Sequence, residues 1–339
     1  MKKILKKLVA PLAIGAMAVS MQAGAADLQK RVFCVFDLIG KSGPVYSAMQ
    51  DYRLQALNWG VDLELRPYSD EKIVAEEFKA GTCDMAAITG LRGRGFNPFT
   101  GTLDSIGSIP DYSILHAVLE KLASPQLAPL MKSGDYEVVG IAPAGGAYLM
   151  VNDRNINTVN ALSGKKIAVL DFDKSQAVMV ESIGASPVTA TIANFGSMFN
   201  NGAVDVIGAP AVAFQPLELY KGIGTKGGVI DYALVQLTLQ VLIRPSKFPE
   251  GFGQKSREYV YSQYDRNMAE ITKSTEAIKP EYWVKISDKD KIGYQEMLRQ
   301  SRLKLRDEGI YDGKMLKFLS RVRCELDASL TECTAKDRE

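Results

Sequence analysis

The chain has 339 residues, 46% of them hydrophobic and 24% charged, with 8% aromatic, 29 Gly and 14 Pro. This balance excludes disorder, collagen-like or coiled-coil repeats and a small disulfide-dense scaffold, and the length suits two domains or one domain divided into lobes. A formal net charge of +2 gives no support to a nucleic-acid or polybasic membrane role.

Lys2, Lys3, Lys6 and Lys7 precede an uncharged apolar stretch, Leu8 to Val19, that is too short to span a bilayer comfortably. Ala23 and Ala25 then supply the small residues a signal peptidase reads, so residues 1–25 are predicted to be a secretory signal cleaved after Ala25. Removal leaves 314 residues and turns the net charge from +2 to −2, because the leader holds four Lys and no acid. Without an Arg pair before the apolar run or a Cys near the cleavage site, neither twin-Arg export nor lipid anchoring is expected. The expectation is a soluble periplasmic protein.

Residues 30–37 read as a buried strand, and 43–60 carry apolar residues at helical spacing. Residues 61–69 alternate like a strand, 70–81 form a helix opened by Asp70 and closed by Gly81, and 83–90 are again a strand. That is β-α-β-α-β. A run read as helix and loop follows (91–137), then a strand at 146–154. A second copy follows: strand 164–171, helix 174–184, strand 186–191, short helix 194–202 and strand 203–211. The copies share F-x-x-G-x-x-D, at Phe78, Gly81 and Asp84 and at Phe199, Gly202 and Asp205. In it a Phe packs the last helical turn, a Gly takes the left-handed cap, and the chain turns into a strand. The 14 residues 232–245 make a strand long enough to cross between lobes. Charged helices at 249–278, 287–309 and 312–326 are expected to pack across the back of both lobes.

Cys34, Cys83, Cys324 and Cys333 all lie in the exported part, where disulfides are permitted. The pairs 34–83 and 324–333 are favoured, since neighbouring strands and a nine-residue loop bring Cα atoms within bridging range; the two other connectivities and free thiols remain open. No C-x-x-C occurs and His116 is the sole histidine, so no metal and no cofactor are expected. His116 sits among apolar neighbours and reads as a core or boundary residue.

Catalytic motifs fail on inspection. Gly40-Lys41-Ser42 imitates a phosphate-binding loop, but Val35 stands where the first Gly is needed. Gly222 to Gly227 matches G-x-G-x-x-G, yet a strand follows where a helix is required. Asp288 opens a calcium-like loop whose twelfth position is Arg299 rather than Glu. With no nucleophile motif either, an enzyme is not expected.

What remains is a cleft between two α/β lobes, where strand C-termini and helix N-termini favour polar or anionic groups. The loops that reach it are 37–42, 89–97, 171–176 and 208–215. From these, and from the strand leaving the first lobe, the candidate ligand-binding residues are Asp37, Ser42, Arg92, Arg94, Tyr148, Asp171, Phe172, Ser175 and Phe214. Arg92 and Arg94 stand between glycines, free to point at a ligand, and Phe172 and Phe214 are placed to stack on one.

The segment 155–210 resembles the second lobe of the substrate-binding proteins of tripartite ATP-independent periplasmic (TRAP) transporters. The likeness rests on "LSGKKI", "IGASPV" and "NNGAVD", with "LTLQVLIRPSKFPEG" and "FKAGTCDMAAI" elsewhere, and covers about Val32 to Asp327. It implies a two-lobed, type II periplasmic-binding-protein-like α/β fold, with two βαβαβ lobes, long hinge strands near Tyr148 and Leu239, and C-terminal helices across both. The implied division is lobe one 26–145 with the chain returning around 240–275, lobe two 146–238, hinge strand and C-terminal helices 239–328, and tail 329–339. The implied function is capture of a small polar or anionic molecule and delivery to membrane permease subunits by a monomer with no nucleic-acid role. An envelope interaction or sensor protein that kept the fold is the alternative. The family commonly reads its ligand carboxylate with an Arg where this chain has Ala168. A second family Arg falls near Ala147, and a polar position falls around Ala209. Either Arg92 and Arg94 replace this clamp, or the ligand is not a simple carboxylate.

Overall fold

The computed structural model describes residues 28–334 and Glu339; the expected leader lies outside them. Among the described residues ten strands form one mixed sheet: β1 Gln29–Phe36, β2 Val61–Tyr68, β3 Met85–Thr89, β4 Lys132–Ser133, β5 Tyr136–Val151, β6 Lys166–Leu170, β7 Ser186–Ala190, β8 Val206–Pro210, β9 Gly228–Ile243 and β10 Trp283–Val284. Their order is β2-β1-β3-β9-β5-β8-β6-β7, with β4 on β5 and β10 on β9. β1 runs parallel to β2 and β3, and β6 parallel to β7 and β8. β5 and β9, 16 residues each, run antiparallel to one another down the middle and carry the sheet from one lobe to the other. The fold is thus the expected two-lobed α/β arrangement.

The two copies are built alike. Helix Glu71–Ala80 starts where Asp70 accepts from the Lys72 N–H at 2.8 Å and stops at Gly81, whose φ of 81° is left-handed. Helix Ile192–Asn200 starts on a Thr191/Asn194 capping box. The repeated Phe78 and Phe199 are both fully buried. The repeated Asp does more than mark a turn: Asp84 accepts from the Val32 N–H of β1, and Asp205 from the Lys166 N–H of β6, each at 2.9 Å. In both lobes this carboxylate fixes the first strand of the unit against the third.

Cys34 is bonded to Cys83 and Cys324 to Cys333. The C-terminal helices cover both lobes: Asp288–Asp307 packs on Lys174–Ser182, and Gly313–Leu326 on Tyr112–Ala123. Two buried arginines, Arg302 and Arg323, share the Glu339 carboxylate and donate to the carbonyls of Ile106 and Ser108, tying the 105–109 loop to this helical back.

Three sequence expectations change. The strand expected at 146–154 begins earlier, at Tyr136, because Gly140, Pro143 and Gly145 sit at register shifts of the β5/β9 ladder where irregular residues are tolerated. Gly140 is required there, since a Cβ would stand 2.6 Å from Val260. Residues 249–278 hold two helices, Phe252–Ser262 and Tyr264–Glu276, broken at Gln263. His116 is exposed rather than buried: its ring lies 4.5 Å from that of Tyr264, and its Nε2 is 3.1 Å from the Tyr261 hydroxyl.

Candidate functional site

A cavity of about 180 Å³ lies between the lobes. Its wall is made by the C-terminal ends of β1, β3, β6 and β8, by the middle of β5 and β9, and by the first turns of helices Lys174–Ser182 and Ile192–Asn200. Ligands in α/β sheets bind at such strand ends. The wall is predominantly apolar, with Phe36, Leu149, Val169, Phe195, Leu234 and Leu237 prominent in it. Ala147, Ala168 and Ala209, the positions where the resemblance leads one to expect arginine or polar side chains, all line it.

The arginines of the 89–97 loop do not line the cavity, and each is engaged by a carboxylate. Arg92 donates from Nε to Glu71 at 3.1 Å and lays its guanidinium over Phe172, 3.6 Å from the ring centre. Glu71 is fully buried and also accepts from the Thr89 N–H. Its burial raises its pKa above the usual carboxylate range, against the lowering pull of Thr89 and Arg92. Arg94 donates from Nη1 to Asp173 at 3.0 Å and from Nε to the Gly101 carbonyl at 3.2 Å, beneath the Tyr311 ring. Gly101 is needed for this approach, since a Cβ would fall 2.2 Å from the Arg94 Cα. The Arg94 Nη2 is buried with no hydrogen-bond partner. Arg92 and Arg94 come from the first lobe, Phe172 and Asp173 from the second. These contacts fasten one lobe to the other.

The helix N-termini that would otherwise draw an anion are also satisfied from within. Asp37, buried, accepts from the N–H groups of Val45 at 2.8 Å and Tyr46 at 3.0 Å at the start of helix Pro44–Leu57, and from Ile39. Asp173 caps helix Lys174–Ser182 by accepting from the Ser175 N–H at 3.1 Å, and it also takes the Ser175 hydroxyl and the Gln176 amide. A carboxylate seated on each of these two N-termini occupies the donors and offsets the dipole a ligand anion would use, while helix Ile192–Asn200 is capped by the neutral Thr191.

Asp104 is the remaining ionisable group on the wall. It is buried, and its two oxygens accept from the Thr238 hydroxyl at 2.6 Å and the Thr238 N–H at 3.0 Å. No cation pairs with it within ion-pair distance among the described residues. Burial, only partly offset by Thr238 and by the charge of Arg94, pushes its pKa up to about 7.

Of the nine candidates, Ser175 lines the cavity directly. Arg92, Arg94 and Phe172 stand together at the lobe contact beside it. Asp37 is held in the turn just described. Ser42 and Asp171 are exposed on their loops and do not line the cavity. Tyr148 points away from it, as side chains one residue off must, since Ala147 and Leu149 point in; its ring packs edge-on against Trp283 at 5.2 Å. Phe214 is not exposed on a loop: it is buried against Tyr220 and Tyr282 in the core behind β8. The sequence reading passed over Glu71, Asp104 and Asp173. Asp173 carried a signal, an Asp-x-Ser opening a helix; Asp104 carried none.

A family model described as "Solute-binding protein AdeT 1/2" matches residues 58–338. The chain belongs to this family of solute-binding proteins. It is 44% identical over 303 residues to the probable solute-binding protein AdeT1 of Acinetobacter baumannii, covering 89% of this chain and 100% of that one. It is also 28% identical over 233 residues to AdeT2 of the same organism, covering 69% and 98%. In three dimensions it is similar to TRAP periplasmic solute-binding proteins. That of Desulfovibrio salexigens with bound orotic acid gives a TM-score of 0.73 at 16% identity, over 88% of this chain and 99% of that one. That of Sulfitobacter sp. NAS-14.1 with bound β-D-galacturonate gives 0.69 at 13%, over 86% and 99%. The chain is a binding receptor, and the family is one of binding proteins rather than enzymes.

Proposed function

We propose that this protein is an exported, monomeric periplasmic receptor. It closes its lobes on one small, largely apolar molecule in the cavity between them and hands it to membrane permease subunits. The lobes divide as 26–145 with the return around 240–275, and 146–238, with bending in β5 near Tyr148 and β9 near Leu239. The observation that carries the reading is the wall. Alanines stand at the three positions where two arginines and a polar residue are expected, apolar side chains surround them, and the nearby arginines are held by Glu71 and Asp173. A cavity of about this size holds a benzene-sized molecule when it is apolar. Solved neighbours hold orotate and galacturonate; the wall described here offers such carboxylates no free guanidinium. No helix among the described residues is long and apolar enough to cross a membrane, which accords with a separate permease.

The test is a thermal-shift screen of the mature protein against apolar molecules of six to ten or so heavy atoms, beside a cavity-filling variant, Ala168→Phe. Saturable stabilisation of the wild type that the variant lacks supports the reading. Equal stabilisation of both proteins places binding elsewhere and defeats it.

A further inference from the structure

The cavity wall has an unbalanced charge. Among the described residues no Lys, Arg or His lines it, while two carboxylates do, Asp104 and Asp173. Asp173 is matched by Arg94. Asp104 is not matched: Thr238 supplies neutral donors to both oxygens, and no further hydrogen bond reaches it. Each carboxylate oxygen has capacity for a second bond, so both can still accept from a ligand. The charged groups that act on Asp104 across the site are Arg94 and Asp173, with opposite signs. Gly90 faces the same carboxylate, and a Cβ there would stand 2.6 Å from it, so the backbone leaves room only for a hydrogen.

Resting on the reading of this cavity as the ligand site, we propose that the ligand is a protonated amine on a compact apolar body, its ammonium group bonded to the Asp104 carboxylate. The apolar body fills the space between Leu149, Val169, Phe195 and Leu237, and the ammonium supplies the positive charge the wall lacks. A carboxylate ligand would meet the ionised Asp104 as a like charge. Because burial holds a proton on Asp104 in the empty site up to about pH 7, an arriving ammonium must displace it. Binding below that pH releases a proton to solvent, and affinity for the cation rises as pH rises through this range.

Three isosteric probes separate the possibilities: benzylammonium, benzyl alcohol and benzoate, titrated calorimetrically into the mature protein at about pH 6 and about pH 8 in buffers of different ionisation enthalpy. The expected result at the higher pH is benzylammonium binding about tenfold or more tighter than benzyl alcohol, as one charge-assisted hydrogen bond allows, with benzoate weakest. The preference should shrink at the lower pH, where proton release should appear for benzylammonium alone. Asp104→Asn should bring the ammonium-to-alcohol ratio to within about threefold. Should that variant fail to fold, the pH dependence and proton release of the wild type decide alone. Benzyl alcohol binding as tightly as benzylammonium at the higher pH overturns the cation while leaving the apolar cavity standing. Tightest binding by benzoate overturns it as well. Binding of none of the three overturns the cavity reading and the cation with it.

Discussion

Arg94 and Asp173 come from different lobes, and their side chains are 12% and 1% exposed, so their pairing can be worked through quantitatively. Asp173→Asn removes the charge but keeps an oxygen for the helix cap. It leaves the guanidinium facing a neutral amide, with its Nη2 already unpartnered. Breaking a buried pair from one side costs about 3–5 kcal/mol, and the low end applies here because the Gly101 carbonyl and Ser175 still accept from Arg94. For a chain of this size about 3 kcal/mol corresponds to a fall in Tm of about 5 °C. Arg94→Met leaves Asp173 with the Ser175 and Gln176 donors, so its cost is smaller, about 1–2 kcal/mol. The double variant removes both charges and should cost less than the sum of the singles by about 2 kcal/mol. The assay is guanidinium unfolding of all four proteins with disulfides intact. Additivity of the singles within about 0.5 kcal/mol would refute the reasoning, because it would mean the pair behaves like a solvent-exposed one.

Stability should depend on pH through Asp104. Its folded pKa lies near 7 and its unfolded pKa near the ordinary aspartate value, so the folded state holds the extra proton between them and stability falls as pH rises through that window. Asp104→Asn should flatten the fall, and unfolding curves at about pH 5 and pH 8 with equal slopes for both proteins would contradict it. The Cys34–Cys83 bridge closes 49 residues and Cys324–Cys333 closes 9, so replacing each pair by alanine should cost about 4 and about 3 kcal/mol on the chain-entropy estimate. Denaturant midpoints in the reverse order would count against that estimate. Ala168→Arg restores a guanidinium to the wall. It should lower Tm by several degrees, and benzoate should then recover part of the loss in the variant alone; recovery in neither protein would show that the side chain does not reach the cavity.

Much of the fold was open to sequence reading because it rests on local signals. Asp70 and Gly81 bracket one helix, period-two alternation marks β2, and F-x-x-G-x-x-D appears in both lobes. β5 hid its first ten residues because Gly140, Pro143 and Gly145 are loop residues by type, and only the neighbouring β9 and Val260 explain them as strand. The site was less open for a similar reason. That Arg92 and Arg94 matter could be seen from their glycine-flanked loop, but their partners Glu71 and Asp173 lie 21 and 79 residues away, and pairing at that separation leaves no mark in a sequence. Phe214 looked exposed because its segment follows a strand end, yet the aromatic rings of Tyr220 and Tyr282 cover it.

The arginines of this cleft and the N-termini of helices Pro44–Leu57 and Lys174–Ser182 are satisfied by the chain's own carboxylates Glu71, Asp37 and Asp173. The most direct measurement is the Tm of the mature protein with millimolar orotate and D-galacturonate, the carboxylates held by the structural neighbours described above. The expected result is no shift beyond about 0.5 °C with either of them, since a ligand bound only to the native state must otherwise raise Tm. A saturable rise of several degrees with one of these acids, lost on Arg94→Met, would contradict the claim.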